Sequence, residues 1–369
     1  MNKFLLFGFS ILLLVGCSND DVLKDNIGND QVRVVDHEDR LSLIMAGDVL
    51  IHSAVYADAY ENGVYDFSSM FSSVAPLIEP YDLAFYNQET IIGGKAVGLS
   101  SYPRFNSPEE VADTLVDIGF NMVSVANNHT LDRGEEAIRF SQEYWNHKGV
   151  VVAGSSMSLE DRQSIPIYSK NNIRYALLAY TTTTNGLHAP SGKEYLVHTY
   201  DYEVVKQDIL KVRGQVDLLI VSMHWGTEYT FEPTEYQKEI ASELASLGVD
   251  IVIGHHPHVI QPITFIDNTL VVYSLGNFIS GQIGLSKTIG MLVSLDVVKK
   301  YRGSESYLML DNVSSSLIYT YSLNNQNYQV IPFDDLNHYL LYNYQAIFDE
   351  YKLIINQYDG NILVNGGRS

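Results

Sequence analysis

Between residues 41 and 298, short runs of branched apolar residues alternate with amphipathic stretches, and run after run ends on a glycine or a polar side chain. Runs of this kind read as strands buried on both faces, and the stretches between them carry helical spacing. The expected strands are 41–46, 82–86, 121–126, 150–153, 173–180, 216–222, 250–254 and 291–298. Helical spacing predicts helices at 67–78, 108–118, 135–147, 202–213 and 234–247. The second of these opens with Ser107 as N-cap and Pro108 at the first helical position. Two apolar runs, 260–266 and 270–273, flank Asp267-Asn268 and suit a hairpin. Such a pattern predicts an α/β fold with a mixed sheet, or two sheets packed together with helices outside. Beyond residue 300 the chain is rich in Tyr, Asn and Ser and weakly patterned, with a terminal helix expected within 336–355.

The densest strand end is Ile251-Val252-Ile253-Gly254-His255-His256-Pro257-His258, with three imidazoles in four positions. Gly254 is expected to turn the chain out of the sheet. In open α/β sheets ligands bind beyond the carboxyl ends of strands, and imidazole there suits a transition metal or a proton-transfer role. Other expected strands end at Asp48, Glu89, Asn128-His129 and His224. Convergence of these ends would gather two carboxylates, one amide oxygen and several imidazoles. That mixture suits a pair of divalent ions such as Mn, Fe or Zn better than Ca, which prefers oxygen shells. Each residue also has a plainer reading. Asp48 could cap a helix, Glu89 could be a solvated loop residue, Asn128 a turn residue and His224 a core histidine. His255 is expected to point away from its neighbours' side, and His52 faces the site if a helix begins beside it.

Charge narrows the function classes. The chain has 44 acidic and 23 basic residues, a formal charge of −21. It lacks the basic footprint of a nucleic-acid binder, and it disfavours electrostatic docking on anionic lipid. An anionic substrate would need a locally positive site, which bound metal can supply. The single cysteine, Cys17, rules out a disulfide framework. Lys3, the apolar stretch 4–15 and Leu14-Val15-Gly16-Cys17 have the layout of a secretory signal too short to span a membrane. Leu-Val-Gly-Cys resembles the lipobox of bacterial lipoproteins, which implies a signal peptide at 1–16 and lipidation of Cys17; an ordinary secreted protein is the alternative. The polar, acidic stretch 17–40 reads as a tether. The expected location is the extracellular face of the bacterial cell membrane.

Several motifs occur in one order: Gly47-Asp48-Val49, Asn87-Gln88-Glu89, Ala126-Asn127-Asn128-His129 with Asp132 and Gly134, His224-Trp225-Gly226, Gly254-His255-His256-Pro257-His258, and Ser274-Leu275-Gly276-Asn277-Phe278. Together they resemble the CapA family, associated with bacterial poly-γ-glutamate capsule synthesis and related to calcineurin-like metallophosphoesterases. The resemblance implies a layered α/β/β/α sandwich of two mixed sheets flanked by helices over 41–298, with 299–369 as a C-terminal extension. It implies metal ligation by Asp48, Glu89 (as the bridge), Asn128, His224, His256 and His258. His129 becomes a proton donor oriented by Asp132, while His52 and Asn277 are possible additional site residues. Two departures stand out: Leu50 occupies a position where the phosphoesterases usually carry histidine, and Glu89 replaces a bridging aspartate.

The expected activity is metal-dependent hydrolysis or transfer on an anionic polymer or a phosphoester, beside a membrane synthetase or export complex. The alternatives are a non-catalytic polymer-binding scaffold and an extracellular metallophosphatase or nucleotidase, in which Tyr180, Trp225 or Tyr229 could stack on a base.

Overall fold

The computed structural model describes residues 37–303 and 305–365. The expected signal peptide, Cys17 and nearly all of the expected tether lie outside the described residues; the first strand begins at Glu38, inside the tether's expected range.

Two mixed sheets carry the fold. The first runs Gln326–Pro332, Glu305–Leu323, Ile289–Arg302, Glu38–Leu50, Leu83–Gln88, Met122–Ser124, Val151–Ala153, with Asn277–Ser280 also paired to Glu38–Leu50. The last four strands of this order are mutually parallel, and the hairpin strands on the other side are antiparallel. The second sheet runs Ile260–Ile266, Thr269–Leu275, Ile251–His255, Leu218–His224, Ile173–Thr181, Tyr168–Lys170. Its middle four strands are parallel, with an antiparallel strand at each edge.

Period-two alternation assigns the layers. Leu41, Leu43 and Met45 enter a central core with Ile173, Leu177, Ile220 and Ile253 of the second sheet. Between them, Ile44 and Ala46 face the other way and pack with Val55, Phe71, Val111 and Trp145 from the helical layer. The second sheet mirrors this: Leu178, Leu219 and Val221 face Val205, Ile209, Ile240 and Leu244 of helices Tyr202–Val212 and Glu235–Ser246. The result is the α/β/β/α sandwich. Each large aliphatic side chain in it contributes about 1.5–3 kcal/mol by burial, and the double-sided burial explains why the strands read as continuous apolar runs.

Local chemistry accounts for the boundaries. Thr234 and Gln237 close a reciprocal capping box on Glu235–Ser246. Pro108 is itself the cap of Glu109–Asp117, one position from expectation. The helix expected at 67–78 is two short pieces, Ser68–Phe71 and Ala75–Ile78. Pro76 cannot donate into a preceding turn and so cannot continue a helix begun at Ser68.

The 298/299 division expected between domain and extension falls inside the strand Ile289–Arg302. The segment beyond it supplies three more strands to the first sheet, Glu305–Leu323, Gln326–Pro332 and Leu363–Asn365, and helix Tyr344–Ile355 buries Phe348, Tyr351 and Ile355 in the central core. Weak sequence patterning there reflects strands with one solvent-facing side: Glu305–Leu323 is exposed or half-buried over much of its length.

Candidate metal centre

Register sets the site. Asp48, near the end of Glu38–Leu50, is paired with Asn87 on one side and Asn277 on the other. Its amide donates to the carbonyl of Gly276 at 3.0 Å. Gly47 permits this approach, because a Cβ there would fall 1.9 Å from the Gly276 oxygen. In the second sheet His255 is in register with His224, at the carboxyl ends of adjacent parallel strands. Gly254 does not turn the chain out of the sheet; it stays inside the strand Ile251–His255. Glycine is demanded there by the Tyr273 carbonyl, 1.9 Å from where a Cβ would sit. The turn falls instead on the segment His256 to His258, whose two histidines have φ of 97° and 58°. Left-handed backbone at such residues costs roughly 1–3 kcal/mol each and persists where the surroundings over-determine it.

The side chains so placed form two groups that share one carboxylate. Glu89, His224 and His256 each bring a ligand atom within 4.8 Å of the others, and so do Asp48, Glu89 and His258. Nε2 of His224 lies 3.8 Å from Glu89 Oε1 and 3.1 Å from Asn128 Oδ1. His258 spans the second group, with Nε2 3.6 Å from Glu89 Oε1 and Nδ1 3.1 Å from Asp48 Oδ2. Asn87 donates to Asp48 Oδ1 at 2.8 Å and holds that carboxylate in place. All these residues are buried. Among the described residues neither Glu89 oxygen has a hydrogen-bond partner, nor has Nδ1 of His224 or His256. An unpaired buried carboxylate is costly. A cation between it and the imidazoles removes that cost, so this mixed N/O donor set fits divalent metal ions.

The protonation states agree. Burial opposes ionisation of Asp48, but His255 and His258 outweigh it and hold the carboxyl well below the usual range. Burial, reinforced by the charge of Asp48, pushes Glu89 well above it. His224 is pushed well down by burial and then by His256. His256 is lowered to about 4 by burial and His258. At neutral pH these two imidazoles are therefore in the unprotonated form that ligates metal.

A buried histidine–carboxylate pair, His129 and Asp132, lines the same cleft as His258. Asn127 pins the chain after Met122–Ser124: its Nδ2 donates to the Gln88 carbonyl and its Oδ1 accepts the His129 amide, both at 2.9 Å. Nδ1 of His129 is 2.7 Å from Asp132 Oδ2, which also accepts the Phe105 amide at 2.7 Å. Held by the carboxylate through Nδ1, the ring keeps Nε2 available. His129, Asp132 and His258 all line one cleft of about 420 Å³.

Residues 42–282 match the family described as bacterial capsule synthesis protein PGA_cap. The chain belongs to this family. It is similar to the PGA biosynthesis protein CapA of Bacillus subtilis (strain 168), with 28% identity over 250 residues covering 66% of this chain and 64% of the relative. It is also similar to the capsule biosynthesis protein CapA of Bacillus anthracis, with 26% identity over 258 residues covering 66% and 61%. The chain thus spans just under two thirds of the length of these relatives. Among solved structures, the NAD nucleotidase of Haemophilus influenzae aligns over 90% of this chain and 58% of its own at 10% identity and a TM-score of 0.43. The 5'-nucleotidase precursor of Thermus thermophilus aligns over 73% and 55% at 14% identity and a TM-score of 0.42.

Other positions in this PGA_cap-family chain differ from what the sequence suggests. His255 does not point away: it is buried, with Nδ1 3.4 Å from Asp48 Oδ1 and its ring 5.6 Å from that of Phe85. It is the last residue of its strand, so alternation after Ile251 and Ile253 aims it inward. His52 directly precedes helix Ser53–Asp58 and lines the cleft, but it stands outside the ligand groups. Its Nδ1 lies 3.1 Å from the Leu50 carbonyl and 3.3 Å from the Gly281 amide. Asn277 is buried and spends its Nδ2 on Gln282 and the Lys287 carbonyl, while its Oδ1 has no hydrogen-bond partner among the described residues. Tyr180 and Trp225 are fully buried core residues, and only Tyr229 reaches the cleft. One residue has no counterpart among the sequence expectations. Glu228, exposed, forms a third group with His256 and His258. Its one sequence signal is position, four after His224 in the loop that leaves the same strand.

Proposed function

We propose that the chain is a metal-dependent hydrolase or transferase of the cell envelope that acts on poly-γ-glutamate or a similar anionic polymer during its synthesis, export or processing. In this reading Cys17 carries the lipid anchor and holds the domain on the extracellular face of the membrane. The capsule context of the PGA_cap family supports the polymer assignment. The observation that carries the chemistry is Glu89: a buried, unpartnered carboxylate shared by two histidine-bearing groups, beside a cleft into which the His129–Asp132 pair opens.

Two divalent ions are proposed, one held by Asp48, Glu89 and His258, the other by Glu89, Asn128, His224 and His256. Such ions supply Lewis acidity, lowering the pKa of water and neutralising charge on a substrate oxygen. The remaining work falls to side chains. Asp132 fixes the tautomer and orientation of His129, and His129 delivers a proton to the departing atom through Nε2. Asn87 and His255 hold Asp48 ionised and oriented, a supporting role characteristic of groups behind metal ligands.

The test is metal content of the purified protein together with hydrolysis of γ-glutamyl peptides and of aryl phosphates and nucleotides, with Asp48→Asn and His256→Ala as controls. Metal-dependent cleavage of the peptides supports the reading. Cleavage of phosphates alone replaces it with a metallophosphatase. A second reading, a polymer-holding scaffold without turnover, is favoured by the buried apolar Leu50, which brings no metal ligand to the Asp48 group. Metal-dependent polymer retention by a protein inactive on every substrate would establish that reading instead.

A further inference from the structure

The rim of the cleft contains a cation that the chemistry above does not use. Arg104 lines the same cavity as His129 and His258, and it is exposed. Its backbone is held on both sides: its amide donates to the Ser101 carbonyl, Ser100 and Asn106 form a two-way bridge across the loop, and the next residue, Phe105, donates its amide to Asp132. The Phe105 ring packs edge-on against both His129 and His52, at 4.7 and 5.2 Å between centroids. The loop that presents Arg104 is thus fastened to the His129–Asp132 pair itself. The guanidinium forms no ion pair or side-chain hydrogen bond with any described residue, in a chain with 44 acidic and 23 basic residues. A second cation, Lys287, sits on the ring of cleft residue Tyr229, 4.7 Å from its centroid, and it too has no carboxylate partner among the described residues. Glu228 is the acidic group on this rim, and it faces His256 and His258. Negative charge on the substrate is thereby directed toward the Arg104 side.

We propose that Arg104 is the specificity-determining residue of the cleft, receiving a substrate carboxylate next to the group that reacts at Glu89 and His129. The assignment rests on the proposed action on an anionic polymer. Guanidinium matches carboxylate through two parallel hydrogen bonds, and no internal partner competes for it. With a formal charge of −21 the protein repels polyanions at long range, so an anionic chain is captured only where local cations overcome that field. Lys287, over the ring of Tyr229, serves as a less directional second contact.

The experiment compares the full-length metal-loaded wild type with Arg104→Gln and Arg104→Lys in binding fluorescently labelled γ-linked oligoglutamate and the same oligomer with its carboxylates amidated. The expected result is a loss of affinity of about tenfold or more for the carboxylate oligomer on Arg104→Gln, partial recovery in Arg104→Lys, and no change for the amidated oligomer. Metal content stays at the wild-type level, and where turnover is measurable KM rises while kcat holds. Equal binding by wild type and Arg104→Gln overturns the assignment and leaves the polymer reading intact. Failure of the wild type to bind the carboxylate oligomer overturns both. A loss confined to inorganic phosphate or phosphomonoester competitors also overturns it, since the anion recognised would then be phosphate.

Discussion

Asp132 Oδ2 lies 2.7 Å from Nδ1 of His129 and accepts the Phe105 amide at the same distance. One carboxylate oxygen therefore fixes both the tautomer of the histidine and the loop above it. Residues that act as one unit give non-additive losses. Asp132→Asn and His129→Gln are each expected to lower kcat by about 10²-fold or more, and the double variant by little more than the worse single one. Steady-state rates for the three proteins check this; multiplying losses would show that the two side chains act independently.

The two states of Glu89 make opposite demands. Burial pushes its folded pKa well above 4.5, so in metal-free protein the ionised form is disfavoured and stability is lost as pH rises above 4.5 toward the folded value. Glu89→Gln is expected to raise the melting temperature of the metal-free protein at pH 8 by roughly 2–4 °C per kcal/mol gained. The same variant loses metal-induced stabilisation, which for wild type amounts to about 2.7 kcal/mol at a hundredfold excess over Kd. Differential scanning calorimetry with chelator and with Mn²⁺ reads both signs. A destabilised metal-free variant contradicts the argument.

Gly254 is tolerated by the fold because it has no side chain, since a Cβ would lie 1.9 Å from the Tyr273 oxygen and 2.7 Å from Trp225 Nε1. Its strand must shift for any other residue to fit. Gly254→Ala is expected to cost about 1–3 kcal/mol or more and to weaken metal binding, because His255 to His258 move with the strand. Urea unfolding and metal titration measure the two effects, and an unchanged midpoint would count against the packing argument.

His198 offers a pH probe away from the ligands. Burial, with a smaller contribution from Arg162, pushes its pKa well below 6.5, and its Nε2 is 3.0 Å from Ser156 Oγ. The folded state thus holds it neutral. Its contribution to stability is whole above pH 6.5 and is lost as pH falls below that value. Melting temperatures of chelated protein between pH 7.5 and 5 should fall less steeply in His198→Gln than in wild type. Equal slopes would show that acid sensitivity arises elsewhere.

Residue chemistry along the chain is sufficient for the strand–helix alternation and for the list of polar strand ends, because period and side-chain type are local properties. The same local reading fails where a distant neighbour decides. Gly254 reads as a turn residue but answers to the carbonyl of Tyr273, and His255 reads as averted but faces Asp48. Glu228 has no periodic or motif signal and is found only by its proximity to His256 and His258.

By itself, then, the sequence determined the order of elements, the polar groups at their ends and the match of residues 42–282 to the PGA_cap family. Tertiary structure decided that Asp48 and Glu89 from one sheet meet His224, His256 and His258 from the other, and that one carboxylate serves both groups. It also drew the strands beyond residue 300 into the first sheet. The physical reason is that register and sheet-on-sheet packing are set by contacts between residues far apart in the chain. Asp48 and His258 are separated by 210 positions and come within 3.1 Å only when the two apolar faces close on each other.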